Sequence, residues 1–151
     1  MRLIKLLIIS IVFFFLLLTA FTSLIPSTVR ISRAVDIQAS KEQVLPYLQE
    51  QQRWPEWNRW FQDSAVAIDV QFRQQTDSSL QYQWAAGDRQ FSSNFMLYEV
   101  RQGTTTVQWF FEFELAWYPW EKLGSIVYDK QMGPVMEESL GNLRKLVESN
   151  P

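Results

Sequence analysis

Leu6 to Ile25 is a run of 20 residues without a charge; behind it the chain turns to short alternating and helical patterns. At ~1.5 Å per residue such a run spans ~30 Å, the thickness of a bilayer core. Its hydroxyl residues, Ser10, Thr19, Thr22 and Ser23, can bond back to helix carbonyls, and Pro26 is a natural stop. The pattern predicts a membrane anchor over residues 1–26 that contacts lipid through residues 6–25, and one folded domain over residues 27–151. A cleaved signal peptide is the competing reading. Such peptides have apolar cores of ~7–15 residues and a small-x-small cleavage site. This run is longer, and Ala20-Phe21-Thr22 is a poor site. Arg2 and Lys5 favour a cytoplasmic N-terminus, whereas Arg30 and Arg33 oppose it. A short basic tail before a long run predicts a single pass with the domain outside the cell membrane, in the periplasm of a Gram-negative source.

In the body, Val29, Ile31, Val35 and Ile37 share one parity, predicting a strand over 29–39 with Arg33 interrupting its apolar face. Ser40-Lys41-Glu42-Gln43 matches a capping box opening a short helix through Tyr47 and Leu48, with Pro46 expected to kink or shorten it. Trp54-Pro55-Glu56-Trp57 starts a second short helix, with proline at its favoured first position. Val66, Ile68, Val70 and Phe72 alternate, then Leu80, Tyr82 and Trp84, then a stretch from Phe91 to Arg101. Thr76 to Ser79, Gly87-Asp88 and Gln102-Gly103 are the turns between them. Thr104 to Ala116 is the clearest strand. Thr105, Val107, Trp109, Phe111, Phe113 and Leu115 form its apolar face, while Thr106, Gln108, Glu112 and Glu114, with Phe110 among them, form the other. Met136, Leu140, Leu143 and Val147 make one stripe of a closing helix. Gly133-Pro134 is expected to divide that helix from a helical stretch around Leu123, Ile126 and Val127. The fold class is therefore α+β: a curved antiparallel sheet of five strands wrapped on a long C-terminal helix, the one element long enough to cover its hollow face.

Composition changes this picture mainly by exclusion. The chain of 151 residues has no Cys and no His. That removes thiol nucleophiles, disulfides, His-ligated zinc and Ser-His-Asp arrangements. No Asp-rich loop suggests a calcium or magnesium site. Neither a metal nor any other cofactor is expected. Net charge is −2 with no basic stripe, so nucleic-acid binding lacks its electrostatic footprint. Seven Trp, eleven Phe and five Tyr supply large apolar surfaces for a core.

Three passages carry a family likeness: "VRISRAVDIQASKEQV" over 29–44, "WPEWNRWF" over 54–61, and "YDKQMGPVMEESLGNLRKLV" over 128–147 preceded by "TTTVQWFFEFEL". With this element order the chain resembles the START-like helix-grip superfamily (SRPBCC), above all its membrane-anchored bacterial polyketide cyclase/dehydrase and lipid-transport-like group. The middle departs from that pattern: Ser64 to Gly103 allows three strands, making five in all, where a sheet of six or seven is usual. The resemblance implies a pocket between sheet and long helix for an apolar small molecule. Candidate linings are Trp84, Trp109, Phe111 and Phe113 from the sheet and Met132 and Met136 from the helix, with Arg33 as polar anchor.

Each of these residues has a plainer role. Large rings on the inner face of a sheet serve as core filler, and Arg33 can reach solvent from a bulge. Trp54, Trp57 and Trp60 are expected on one side of a short helix, closing the core, lining a pocket mouth or meeting the bilayer interface. Trp117, Tyr118 and Trp120 face the same choices and are the candidates for membrane contact. No catalytic residue is identified: Asp63, Asp69, Glu99, Glu112 and Glu114 read as the wet faces of strands. The leading expectation is a membrane-tethered binding protein for a lipid-like or polyketide-like molecule. The alternatives are a cyclase or isomerase working in the same pocket, and an interaction module with a filled core whose protein partner is unknown.

Overall fold

The computed structural model describes residues 2–62 and 67–150; Asp63 and Val66 lie outside the described residues. The apolar run forms helix α1 (Arg2–Thr22), whose side chains are almost entirely exposed. Strand β1 (Thr28–Ile37) follows, then α2 (Lys41–Gln49). The Ser40 amide donates to Oε1 of Gln43 at 2.9 Å, which fixes the start of α2 as the capping residues predict. Pro46 sits inside α2, and the helix stops one turn later.

Two single-turn helices come next, α3 (Trp54–Trp57) and α4 (Arg59–Gln62), separated at Asn58. The expected single short helix is thus two, which turns Trp54, Trp57 and Trp60 toward different neighbours. Strands β2 (Ile68–Gln75), β3 (Ser79–Ala86), β4 (Arg89–Arg101) and β5 (Thr104–Glu114) complete a five-stranded antiparallel sheet in the order β1-β5-β4-β3-β2. Gly87 and Gly103 take φ of 61° and 80° in the β3–β4 and β4–β5 turns, a conformation that other residues adopt at a cost.

Alternation in β5 is obeyed: Thr105, Val107, Trp109 and Phe111 are buried on the inner face. Phe110, on the outer face, is shielded by the guanidinium of Arg30, which lies 4.4 Å from its ring and donates to Glu112 at 2.9 Å. After β5 come α5 (Pro119–Gly124), a 3-10 turn over Ser125–Val127, and α6 (Tyr128–Ser149). The stripe Met136, Leu140, Leu143 and Val147 is buried in the same core as Trp109 and Phe111.

Gly133 and Pro134 do not divide the last helix; α6 runs through both. Pro134 is exposed, and the carbonyl it leaves unbonded belongs to Lys130, also on the exposed side, where water can meet it. Gly133 has a different reason to be glycine. The Arg33 side chain crosses from β1 over it, bonding Asp129 at 3.0 Å and Glu137 at 2.7 Å, and a Cβ at 133 would stand 2.9 Å from Arg33 Cζ and nearer still to Nη2. Arginine can swing away, but only by giving up both carboxylates. Gly133→Ala is therefore expected to be near neutral in the native chain. In an Arg33→Ala background it should stabilise by up to ~1 kcal/mol, the ordinary helix preference of alanine. A thermodynamic cycle on the two positions should show coupling on the order of 1 kcal/mol; additive effects would contradict the contact.

Candidate functional site

The inner face of the sheet should be hollow where a ligand is to sit. In this chain the hollow is occupied by its own rings. Trp54 packs on Tyr82 at 4.9 Å and Trp84 at 5.7 Å between centroids. Trp57 meets Phe95 and Trp109 at 6.1 and 5.8 Å, while Trp60 stands edge-on to Trp84, Trp109 and Phe111 at 5.4–6.0 Å. These are the spacings of favourable edge-to-face pairs. Most polar edges of these rings are satisfied from within, whereas the buried Nε1 of Trp84 has no hydrogen-bond partner among the described residues. Trp54 Nε1 and the Tyr82 hydroxyl both donate to the Leu48 carbonyl, at 3.0 and 2.9 Å, and Trp57 Nε1 donates to that of Tyr47 at 3.1 Å. Trp109 Nε1 donates to Ser93 Oγ at 2.9 Å.

The candidate lining residues separate into two groups. Trp84, Trp109, Phe111 and Met136 are sealed, each at most 1% exposed. Phe113 and Met132 are half-buried at the other end of the same face, beside Phe91 and Tyr128. There the rings thin out: Phe113 packs at a tilt on Phe91 at 4.9 Å and approaches Tyr128 at 5.6 Å. A cleft of about 220 Å³ opens against Phe113, Leu115 and Tyr128, with Asp88, Arg89, Gln90, Glu114 and Glu121 around it. Arg89 donates to the Tyr128 hydroxyl at 2.8 Å. Arg33 is not at this cleft. It has the inward parity of β1, but its guanidinium is held by Asp129 and Glu137, chiefly the former, and both raise its pKa.

Trp117 and Trp120 are exposed and Tyr118 is half-buried, stacked on Trp120 at 5.0 Å. Of the five candidate carboxylates, Asp69, Glu99 and Glu114 are exposed, Glu112 is taken by Arg30, and Asp63 lies outside the described residues. Sequence reasoning passed over Arg89 and Tyr128. A lone Arg after a turn and a Tyr at a helix start carry no spacing signal, and only the closure of the sheet brings them together.

No family model and no curated protein matches the chain. Solved structures do. A START superfamily protein from Mycobacterium smegmatis superposes with a TM-score of 0.65 at 15% identity, over 81% of this chain and 99% of that one. The chain has a START-like fold. The same START-like frame is found in the di-domain ARO/CYC BexL from the BE-7585A biosynthetic pathway (TM-score 0.62, 12% identity, 82% of this chain and 48% of that one). It is found again in the Zhui aromatase/cyclase from Streptomyces sp. R1128 (TM-score 0.53, 10% identity, 80% and 94%).

Tyr82 shows how this START-like core constrains its own chemistry. Burial pushes its phenol up to about 12, from an ordinary value near 10. Between those values the unfolded chain releases the proton and the folded one keeps it, so stability present below pH 10 is lost as pH rises toward 12. The loss is on the order of 2 to 3 kcal/mol. Chemical denaturation between pH 9 and 11.5 should show this slope, and Tyr82→Phe should flatten it; an unchanged slope would mean the phenolate is tolerated in place.

Proposed function

We propose that this START-like domain is held at a membrane by α1 and binds the apolar part of a lipid-like or polyketide-like molecule at the cleft between β4, β5 and the start of α6. The observation that carries the reading is the gradient of exposure along the inner face. Its aromatic surface is sealed from Trp84 through Trp109, and it opens at Phe113, Met132 and Tyr128. A partly filled site of this kind takes one end of an apolar molecule rather than enclosing it. Neighbours of the same fold named as aromatase/cyclases support an apolar ligand class. Helix α1 is long and apolar enough to cross a bilayer, and its exposure separates it from the buried helices of a core. Its C-terminal end meets the domain at the same end of the sheet as the cleft, since the Leu115 amide donates to the Ser27 carbonyl at 2.7 Å.

The filled interior favours a second reading, an interaction module that holds no small molecule. A catalytic role gains nothing from Tyr82, whose hydroxyl is committed to the Leu48 carbonyl.

The test is extraction of the purified full chain with organic solvent, followed by mass spectrometry. A bound amphiphile should be enriched at least 10-fold over the Phe113→Asp chain, and over Gln90→Trp, which adds bulk at the cleft without adding charge. Thermal melts confirm that both variants fold. Identical extracts from all three chains would overturn the ligand and leave the interaction module.

A further inference from the structure

We propose that α5 and the 3-10 turn after it form a docking surface that lies in the headgroup layer of the bilayer α1 enters. Two independent observations meet at this surface. The first is an apolar patch: Trp117, Trp120, Leu123, Ile126 and Val127 are 70, 61, 43, 62 and 46% exposed within one short stretch. The second is a clasp that sets the depth of that patch. Lys122, in the middle of the same stretch, is 6% exposed, and its ammonium donates to the Ile25 carbonyl at 2.9 Å. Thr22, at the end of α1, is 2% exposed, and Ser125 Oγ donates to the Lys122 carbonyl at 2.7 Å.

The depth follows from length. Helix α1 has 21 residues and therefore spans ~31 Å, one hydrocarbon core. Ile25 stands just past its end, at the level of the headgroups, and whatever binds the Ile25 carbonyl is at that level too. Tryptophan and tyrosine concentrate in this layer because a ring can sit among acyl carbons while its polar edge stays wet. A soluble protein partner would have to meet the patch inside the headgroups, so the bilayer is its occupant. Lys122 is buried with its ammonium turned to the Ile25 carbonyl, away from the patch, and the exposed residues of the patch are apolar. Docking should therefore be nearly independent of salt and of anionic lipid, unlike that of a polybasic segment. The same contact directs the cleft at Phe113 and Tyr128 toward the bilayer, so that an amphiphile can reach it without crossing water. The inference rests on α1 as a membrane span, and the experiment separates the two.

Because the chain has no Cys, single cysteines can carry a nitroxide without background. The full chain is reconstituted in phosphatidylcholine vesicles with a label at position 14, 117, 120, 126 or 77. Phe14 is mid-α1, and Asp77 is in the β2–β3 turn at the far end of the sheet. Relaxation by oxygen, which favours lipid, is compared with relaxation by a water-soluble nickel chelate. Labels at 117, 120 and 126 are expected at interfacial depth, with nickel accessibility at least 5-fold below that at 77 and no change between 50 and 500 mM salt. If they match position 77 while position 14 is lipid-exposed, docking is overturned and the anchor stands. Water exposure at position 14 removes the anchor, and the docking proposal with it. Labels at 117, 120 and 126 immobilised and shielded from both relaxants would show a protein contact, which also overturns docking.

Discussion

Trp109→Ala is expected to remove about 3 to 5 kcal/mol of stability, a large share of the 5–15 kcal/mol typical of a domain. Trp109 is fully buried on the central strand pair and touches the rings of Trp57, Trp60, Trp84, Phe95 and Phe111. Those neighbours come from both the sheet and the short helices, so they cannot all close over the gap at once. The Ser93 hydroxyl would also lose its donor in a dry site. Trp109→Phe keeps most of the apolar volume and should cost less than half as much. Denaturant titration of both chains reads the difference. A loss below ~1 kcal/mol for alanine would mean that the interior has slack, as a pocket does and close packing does not.

Removing residues 1–24 is expected to move the chain from the membrane fraction to the soluble fraction. A spanning helix is held almost irreversibly, whereas exposed interfacial rings give weak, reversible attachment. The full chain should therefore resist alkaline carbonate extraction and the truncated chain should not. The truncated chain should still sediment partly with vesicles at neutral pH if Trp117 and Trp120 dock as inferred. A native chain already released from membranes, with a new N-terminus near residue 22, would instead identify α1 as a cleaved leader.

Much of the frame was legible because it depends on local, one-sided patterns. The alternation from Thr105 to Phe111, the stripe from Met136 to Val147 and the turns at Gly87 and Gly103 each report a face or a backbone angle, and each is where its pattern indicates. What fills the space between faces was not legible. Trp54, Trp57 and Trp60 read first as core, with rim and interface left open, because helix spacing gives direction around an axis and not depth in the molecule. Gly133 looked like a helix break, since its partner Arg33 lies 100 positions earlier and no short-range pattern joins them. Lys122 reads as an ordinary surface lysine. Its acceptor is a backbone carbonyl at Ile25, and a carbonyl leaves no mark in a sequence. The sealed half of the candidate site follows from the same limit: sequence names the rings but not the order in which they close.

The division of the inner face into a sealed core and an open cleft can be tested by where an apolar probe lands. The full chain in phosphatidylcholine vesicles is exposed to a diazirine-bearing fatty acid, irradiated, and digested for peptide mass spectrometry. Labelling is expected at Phe113 and Tyr128. Labelling centred on Trp84, Trp109 or Met136 would show that the interior opens to ligand, which a core filled by its own rings does not allow.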